Sequence, residues 1–311
     1  MFGAGWLGNP QRLALLRRLR YNGAIRMEIQ FIKLQSCGAD YIVLDALKNS
    51  GLRAEHLPDL SAQICSRHFG VGAMGLALVR KNAGARLGIA CFNPQGGEAG
   101  ADPLAVRCVA RYAFDAGLAG SETFTVELPG AATAVEVLDA HNITLPSGPP
   151  TYWDRNDCLR ERSAETFTRT LRLMDRELNY TPVRLDGLQA VFFPGGSPLA
   201  LSEFGREVEA AGAFADGINL VFARLISREE LSLRIWRVRG GEQLAAEGCA
   251  GSAVVASVLN GFGDRQALVH LEGGNLFVDW SEEDNRLYVS GGAEYVFMGT
   301  YYYEEGEADE E

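Results

Sequence analysis

The sequence holds only four histidines, none at metal-ligand spacing from another, and its six cysteines (Cys37, Cys65, Cys91, Cys108, Cys158, Cys249) include no Cys-x-x-Cys pair. Neither a zinc site nor a disulfide framework is expected from that pattern. Scattered, unpaired thiols point to a reducing, cytoplasmic setting. No apolar run approaches the ~20 residues that a membrane-spanning helix needs, so no membrane partner is expected. A net charge of −11 argues equally against a nucleic-acid partner.

The two ends are one-sided in charge. Residues 1–26 carry Arg12, Arg17, Arg18, Arg20 and Arg26 with no acid and no serine. The short Leu13-Ala14-Leu15-Leu16 run is too small for a secretory signal, and the missing serine speaks against a transit peptide. The reading is a disordered basic extension before Met27. At the other end Asp309 and five glutamates crowd residues 304–311, which predicts a solvated acidic tail over 301–311.

Between these ends lies a repeat. Gly96-Gly97-Glu98 precedes an apolar, helix-like run ending at Ala116-Gly117, and Gly240-Gly241-Glu242 precedes another ending at Asn260-Gly261, an offset of 144 residues at both ends. A glycine-rich turn feeding an apolar helix, used twice, predicts two related halves with a ligand site in the gap between them. Period-2 runs such as Glu28 to Leu34, Tyr41 to Leu44, Gly75 to Val79 and Leu231 to Trp236 predict strands. A capped helix is expected over 59–69, and Pro103 to Phe114 is apolar all round except at Arg107 and Arg111, as a buried helix would be. The fold class expected is therefore α/β (α+β): two pseudo-symmetric domains, each a mixed, mostly antiparallel, barrel-like sheet around one buried helix. The boundaries expected are an N-terminal domain over 27–149 with a linker at Pro146 to Pro150, a C-terminal domain over 150–290, and a final strand over 291–300.

The residues resemble the diaminopimelate epimerases, with proline racemases and phenazine-pathway isomerases as more distant relatives. The carriers are Phe31-Ile32-Lys33-Leu34 with Gly38 and Asp40, Arg67 through Ala73, Phe92-Asn93 leading to Gly96 and Glu98-Ala99, Arg107-Cys108 and Ala110-Arg111-Tyr112. Ile218 through Phe222, Arg228 through Trp236, Gly241-Glu242 and Gly292 through Phe297 complete the set. The resemblance implies an isomerase that needs no cofactor. One thiolate removes an α-proton and a second thiol returns a proton from the opposite face, each at a helix start whose amides hold the substrate carboxylate.

In this chain the two thiol positions hold Asp102 and Ala246. The family's first-strand asparagine falls on Ala39, and its Asn-Pro-His motif becomes Ser197-Pro198-Leu199. Asp102 before Pro103 reads first as a helix cap, which would lower its pKa, and second as a one-carboxylate proton shuttle. Glu247 and Cys249, near the vacant second position, are the other candidate proton-transfer groups. Each has a structural alternative, a favourable charge at a helix start and a small buried apolar residue. Asn93 and Asn219 match the family's ligand-binding positions. Its Glu-Arg pair aligns with Arg237-Val238, and a one-residue shift brings in Arg239, which is taken with Gly248 to complete the ligand contacts. Arg107 and Arg111 read as ion-paired or snorkelling, and His68 as structural.

The leading expectation is a cofactor-independent isomerase or epimerase of divergent specificity, acting on a small amino acid or carboxylate. The alternative is an inactive homologue that binds a small molecule or partners an active subunit, and the third is a true diaminopimelate epimerase of lysine biosynthesis. The oligomeric state is left open, with a homodimer as one option.

Overall fold

A computed structural model describes residues 26–304, except 83–85, 101, 154–166, 174–175 and 195–199. The Ser197-Pro198-Leu199 motif, the extension before Arg26 and the tail after Glu304 lie outside the described residues. The first run of elements is β1 (Arg26–Ser36), β2 (Ala39–Asp45), α1 (Leu57–Ile64), β3 (Gly75–Lys81), β4 (Leu87–Phe92), β5 (Glu98–Ala99), α2 (Pro103–Asp115), β6 (Thr123–Leu128), β7 (Ala131–Val137), β8 (Ile143–Ser147) and β9 (Arg169–Leu173). The second run repeats it: β10 (Arg176–Arg184), β11 (Leu188–Phe192), α3 (Leu201–Ala210), β12 (Asn219–Ser227), β13 (Glu230–Arg237), β14 (Gly241–Gln243), α4 (Glu247–Leu259), β15 (Gln266–Leu271), β16 (Gly274–Trp280), β17 (Leu287–Gly291) and β18 (Glu294–Glu304).

Pairing repeats with the order. β2 runs parallel to β3 and β4 to β6, as β11 does to β12 and β13 to β15, while most other neighbours are antiparallel. Each curved sheet closes around its buried helix. In β13 the alternate residues Leu231, Leu233 and Ile235 pack on α4 together with Val221 and Ala223 of β12. Around α2 the same is done by Val43, Ala77, Val79, Ile89, Val126 and Val135. Each such side chain, fully buried, contributes about 1.5–3 kcal/mol before the cost of ordering it. The outer faces hold α1, over Ile42, Leu44 and Leu76, and α3, over Leu220, Phe222 and Trp236.

The halves exchange strands at their seams. β8 pairs with β17, and β1, the first strand, pairs with β18, the last. Two expected boundaries move as a result. Pro146 and Ser147 are not linker but the end of β8, opposite Tyr288 and Leu287. The last strand does not stop at residue 300: Tyr301, Tyr302 and Tyr303 continue opposite Ile29, Glu28 and Met27. Tyr303 is only 1% exposed, and its hydroxyl donates to Asp59 Oδ2 at 2.9 Å. No helix among the described residues is long and apolar enough to cross a membrane.

Candidate active site

The first turns of α2 and α4 meet. Arg107, one turn into α2, is 0% exposed and reaches Glu247, the first residue of α4, with Nη2 2.7 Å from Oε2. Its Nε donates to the Ile143 carbonyl of β8 at 3.1 Å and its Nη2 to the Val289 carbonyl of β17 at 3.0 Å. One guanidinium therefore ties both buried helices to the β8–β17 seam. The match is imperfect: the Glu247 oxygen lies off the line of the N–H, and Nη1 has no partner among the described residues. Burial pushes the Glu247 carboxyl up to about 7, against the pull of Arg107. Arg111 pairs with Asp115 at 2.6 Å.

Asp102 caps α2, its Oδ1 accepting from the Leu104 amide at 2.8 Å, and Pro103 takes the first helical position where no N–H is needed. The expected lowering of its pKa is not what the structure gives. Asp102 is open to solvent yet closely surrounded by protein. That surrounding raises its pKa, outweighing the Leu104 amide, the Tyr41 phenol beside it and Arg107.

Ala246 begins α4 and supplies no cap, so the first-turn amides of α4 are left without a side-chain acceptor. Asn219 and Arg237 stand directly opposite each other on β12 and β13. By alternation they share the α4-facing side with Val221 and Ile235, at the end of the sheet where α4 starts. Arg237 lies against Gly240, has no ion pair among the described residues, and its charge is felt at Cys249. Arg239, the expected guanidinium, is spent elsewhere. It adopts a left-handed φ of 63°, its amide donates to Glu209 Oε1 at 2.8 Å, and its Nε lies 3.2 Å from Asp216. Arg237, by contrast, has the same parity along β13 as Leu231, Leu233 and Ile235.

The remaining candidates divide. Asn93 continues the inner face of β4, but its Oδ1 accepts from the Gln95 and Gly97 amides at 2.9 and 3.0 Å, so that oxygen builds the glycine-rich turn. Cys249 is fully buried in the core around α4, and burial pushes its thiol up to about 12. Glu247 is 4% exposed. Both are enclosed by protein in this structure. Gly248 is glycine for packing: a Cβ there would sit 2.5 Å from the Leu185 carbonyl oxygen and 3.6 Å from Asp186 Cβ. His68 is exposed and makes no hydrogen bond among the described residues, so its structural reading also fails. No group of three or more His, Cys, Asp or Glu among the described residues is placed to hold a metal ion.

Asp186 went unnoticed in the sequence. It occupies the three-residue turn between β10 and β11, exposed at φ 53° ahead of Gly187, and its charge is felt at both Asp102 and Glu247. The Asp-Gly dipeptide between two apolar runs is a hairpin signal that could have placed it.

Two buried helices starting toward one another inside a doubled, barrel-like sheet make a fold that this chain shares with solved proteins. A phenazine biosynthesis protein of the PhzF family from Enterococcus faecalis shares the fold with a TM-score of 0.61 at 14% identity, covering 89% of this chain and 100% of that one. A probable proline racemase from Agrobacterium radiobacter K84 does so at 0.59 and 11% identity, over 87% and 92%. Residues 31–153 match the family model for diaminopimelate epimerase. The diaminopimelate epimerase of Pelotomaculum thermopropionicum is 32% identical over 289 residues, spanning 88% of this chain and 99% of that protein. The chain belongs to the diaminopimelate epimerase family, a family of isomerases.

Proposed function

We propose that this protein is a cofactor-independent isomerase that moves the proton on the carbon beside a carboxylate of a small molecule, with Asp102 as its acid and base. Arg237, Asn219 and the uncapped amides of α4 hold the ligand's carboxylate. The observation that carries this reading is Asp102 itself. It stands where the family resemblance places a thiol, at a helix start and open to solvent, with its pKa raised by the protein around it. Removing the proton puts charge into the ligand's carboxylate, and the guanidinium and helix amides stabilise that charge where it develops.

Thiol chemistry is not available at these positions, because residues 102 and 246 are Asp and Ala. Together with Ala39 in place of the family's asparagine, this leaves a poor cage for a ligand with two amino-acid ends. We therefore expect diaminopimelate to be a poor substrate and a smaller carboxylate, such as a simple amino or hydroxy acid, to be preferred. The test is exchange of the α-hydrogen in deuterated water, run with diaminopimelate and a panel of amino and hydroxy acids. Exchange with a panel member, reduced ~10²- to 10⁴-fold by Asp102→Asn, is the expected result. Silence across the panel would overturn the catalytic reading in favour of a binding homologue, and fast exchange with diaminopimelate would overturn the divergence in specificity.

A further inference from the structure

Inverting a carbon centre needs two groups, because the proton leaves one face and its replacement arrives on the other. Asp102 supplies one. In the second half of the molecule position 246 is alanine, and Glu247 and Cys249 are enclosed by protein. An ionisable group on that side must come from somewhere other than α4.

We propose that Asp186 is the second proton-transfer group, serving the ligand face opposite Asp102. This rests on the proton-transfer reading of the cleft. The turn that carries Asp186 seats directly on the first turn of α4, where the missing side chain of Gly248 leaves room for the Leu185 carbonyl and the Asp186 Cβ. The turn is built to hold that position. Asp186 adopts a left-handed φ of 53°, which aspartate tolerates, and Gly187 follows at 148°. Gln189 ties the turn down by accepting from the Leu185 amide at 3.2 Å and donating to the Leu185 carbonyl at 3.0 Å.

The buried Ser147 hydroxyl, at the end of β8, donates to Asp186 Oδ2 at 2.6 Å. That contact fixes one oxygen and leaves Oδ1 without a partner among the described residues. Asp186 is exposed, as Asp102 is. The two carboxylates come from opposite halves of the molecule, one at the start of α2 and one at the start of α4, and each lies within electrostatic reach of the other. The internal repeat sharpens the contrast. The equivalent turn of the first half, between β1 and β2, carries Cys37, which is turned inward with its thiol 3.7 Å from the Asn275 carbonyl oxygen. Only the second half exposes an ionisable group on this turn, and it is the half in which position 246 is alanine.

The step balances with these two groups alone. The ionised carboxylate takes the α-proton, and the electron pair of the broken C–H bond is delocalised into the ligand's carboxylate. The protonated carboxyl then delivers its proton to the opposite face, where a new C–H bond forms. The two residues end with their protonation states exchanged, and the reverse turnover restores them. Glu247, Arg107, the Tyr41 phenol and the buried thiols of Cys91 and Cys108 are the other titratable or charged groups around this pair.

Two measurements on the full chain test this. The first needs no ligand: carboxyl carbon resonances of isotope-labelled aspartate are followed through a pH titration. Removing the charge of Asp186 by Asp186→Asn lowers the Asp102 midpoint if the two face each other, and an unchanged midpoint overturns the pairing. The second uses enantiopure amino and hydroxy acids in deuterated water. The wild-type protein inverts its substrate with deuterium entering at the α-carbon. Asp186→Asn keeps exchange without inversion on one enantiomer and loses inversion ~10²- to 10⁴-fold. Inversion by Asp186→Asn at the wild-type rate overturns the proposal. A wild-type protein silent on the whole panel, with the Asp102 midpoint still moved by Asp186→Asn, removes the catalytic role of both residues and leaves the carboxylate pair as a structural fact.

Discussion

Arg107 is the residue on which the two halves depend most. It is a full charge withdrawn from water, balanced by Glu247 from the other half and by two backbone carbonyls from the seam strands. A buried pair of this kind is weak evidence for net stability, but breaking it is costly, because the abandoned partner stays buried without its counter-charge and hydrogen-bond donor. Arg107→Met should lower the unfolding free energy by about 3–5 kcal/mol, read as a fall in the urea midpoint. Glu247 adds a dependence on pH with a definite sign. Its carboxyl is pushed from 4.5 to about 7, so the folded chain binds that proton more tightly than the unfolded chain does. Stability from this group is therefore greatest at low pH, declines as pH rises from about 4.5 to about 7, and is flat above that. The raised pKa of Asp102 acts in the same direction. Unfolding measured across pH 4.5 to 7 should show a shallower decline in Glu247→Gln than in the wild-type chain.

At the scale of elements, β18 is the outlier. Its counterpart in the repeat, β9, is a short edge strand carrying Arg169 and Arg172, whereas β18 runs from Glu294 to Glu304 with no charge between its ends. Its last residues are structural, not tail: Tyr303 is enclosed by α1 and β1 residues and bonded to Asp59. Removing residues 301–311 should therefore lower the melting temperature by several degrees, and a chain ending at 304 that melts like the full one would locate the whole effect in Tyr301 to Glu304.

The buried helices were legible, because a run that is apolar on every side can be placed only inside. So were the strands that flank them, whose period-2 pattern follows from having one face on a helix. The helix α3 was not, since Leu201, Phe204, Gly205 and Val208 make only a narrow apolar stripe among polar residues. The repeat made legible where Asp102 and Asn219 sit, at the start of α2 and the start of β12. It did not make legible which end of a strand faces a helix start, which is why Arg237 and Asp186 were not singled out.

For the whole molecule, the same strand raises the question of association. β18 pairs with β1, and Val296, Phe297 and Met298 in its first half are 49%, 47% and 70% exposed. A long, uncharged, exposed strand is the surface that natural proteins otherwise shorten, charge or cover. Two copies can satisfy it by antiparallel pairing about a two-fold axis. Sedimentation should show a dimer for the wild-type chain and a monomer for Met298→Lys, with the melting temperature of the variant measured at low concentration to separate association from folding.

The pairing of β1 with β18 also bears on how the molecule is made. A ribosome releases β1 first and β18 last, so the opening strand waits for its neighbour through nearly the whole of translation. The seam between β8 and β17 imposes a similar delay on the middle of the chain. However complete the first half looks as a unit of the repeat, the nascent chain holds it with one sheet edge unmatched and with Arg107 lacking its counter-charge. Assembly of either half is thereby tied to the arrival of the last strands.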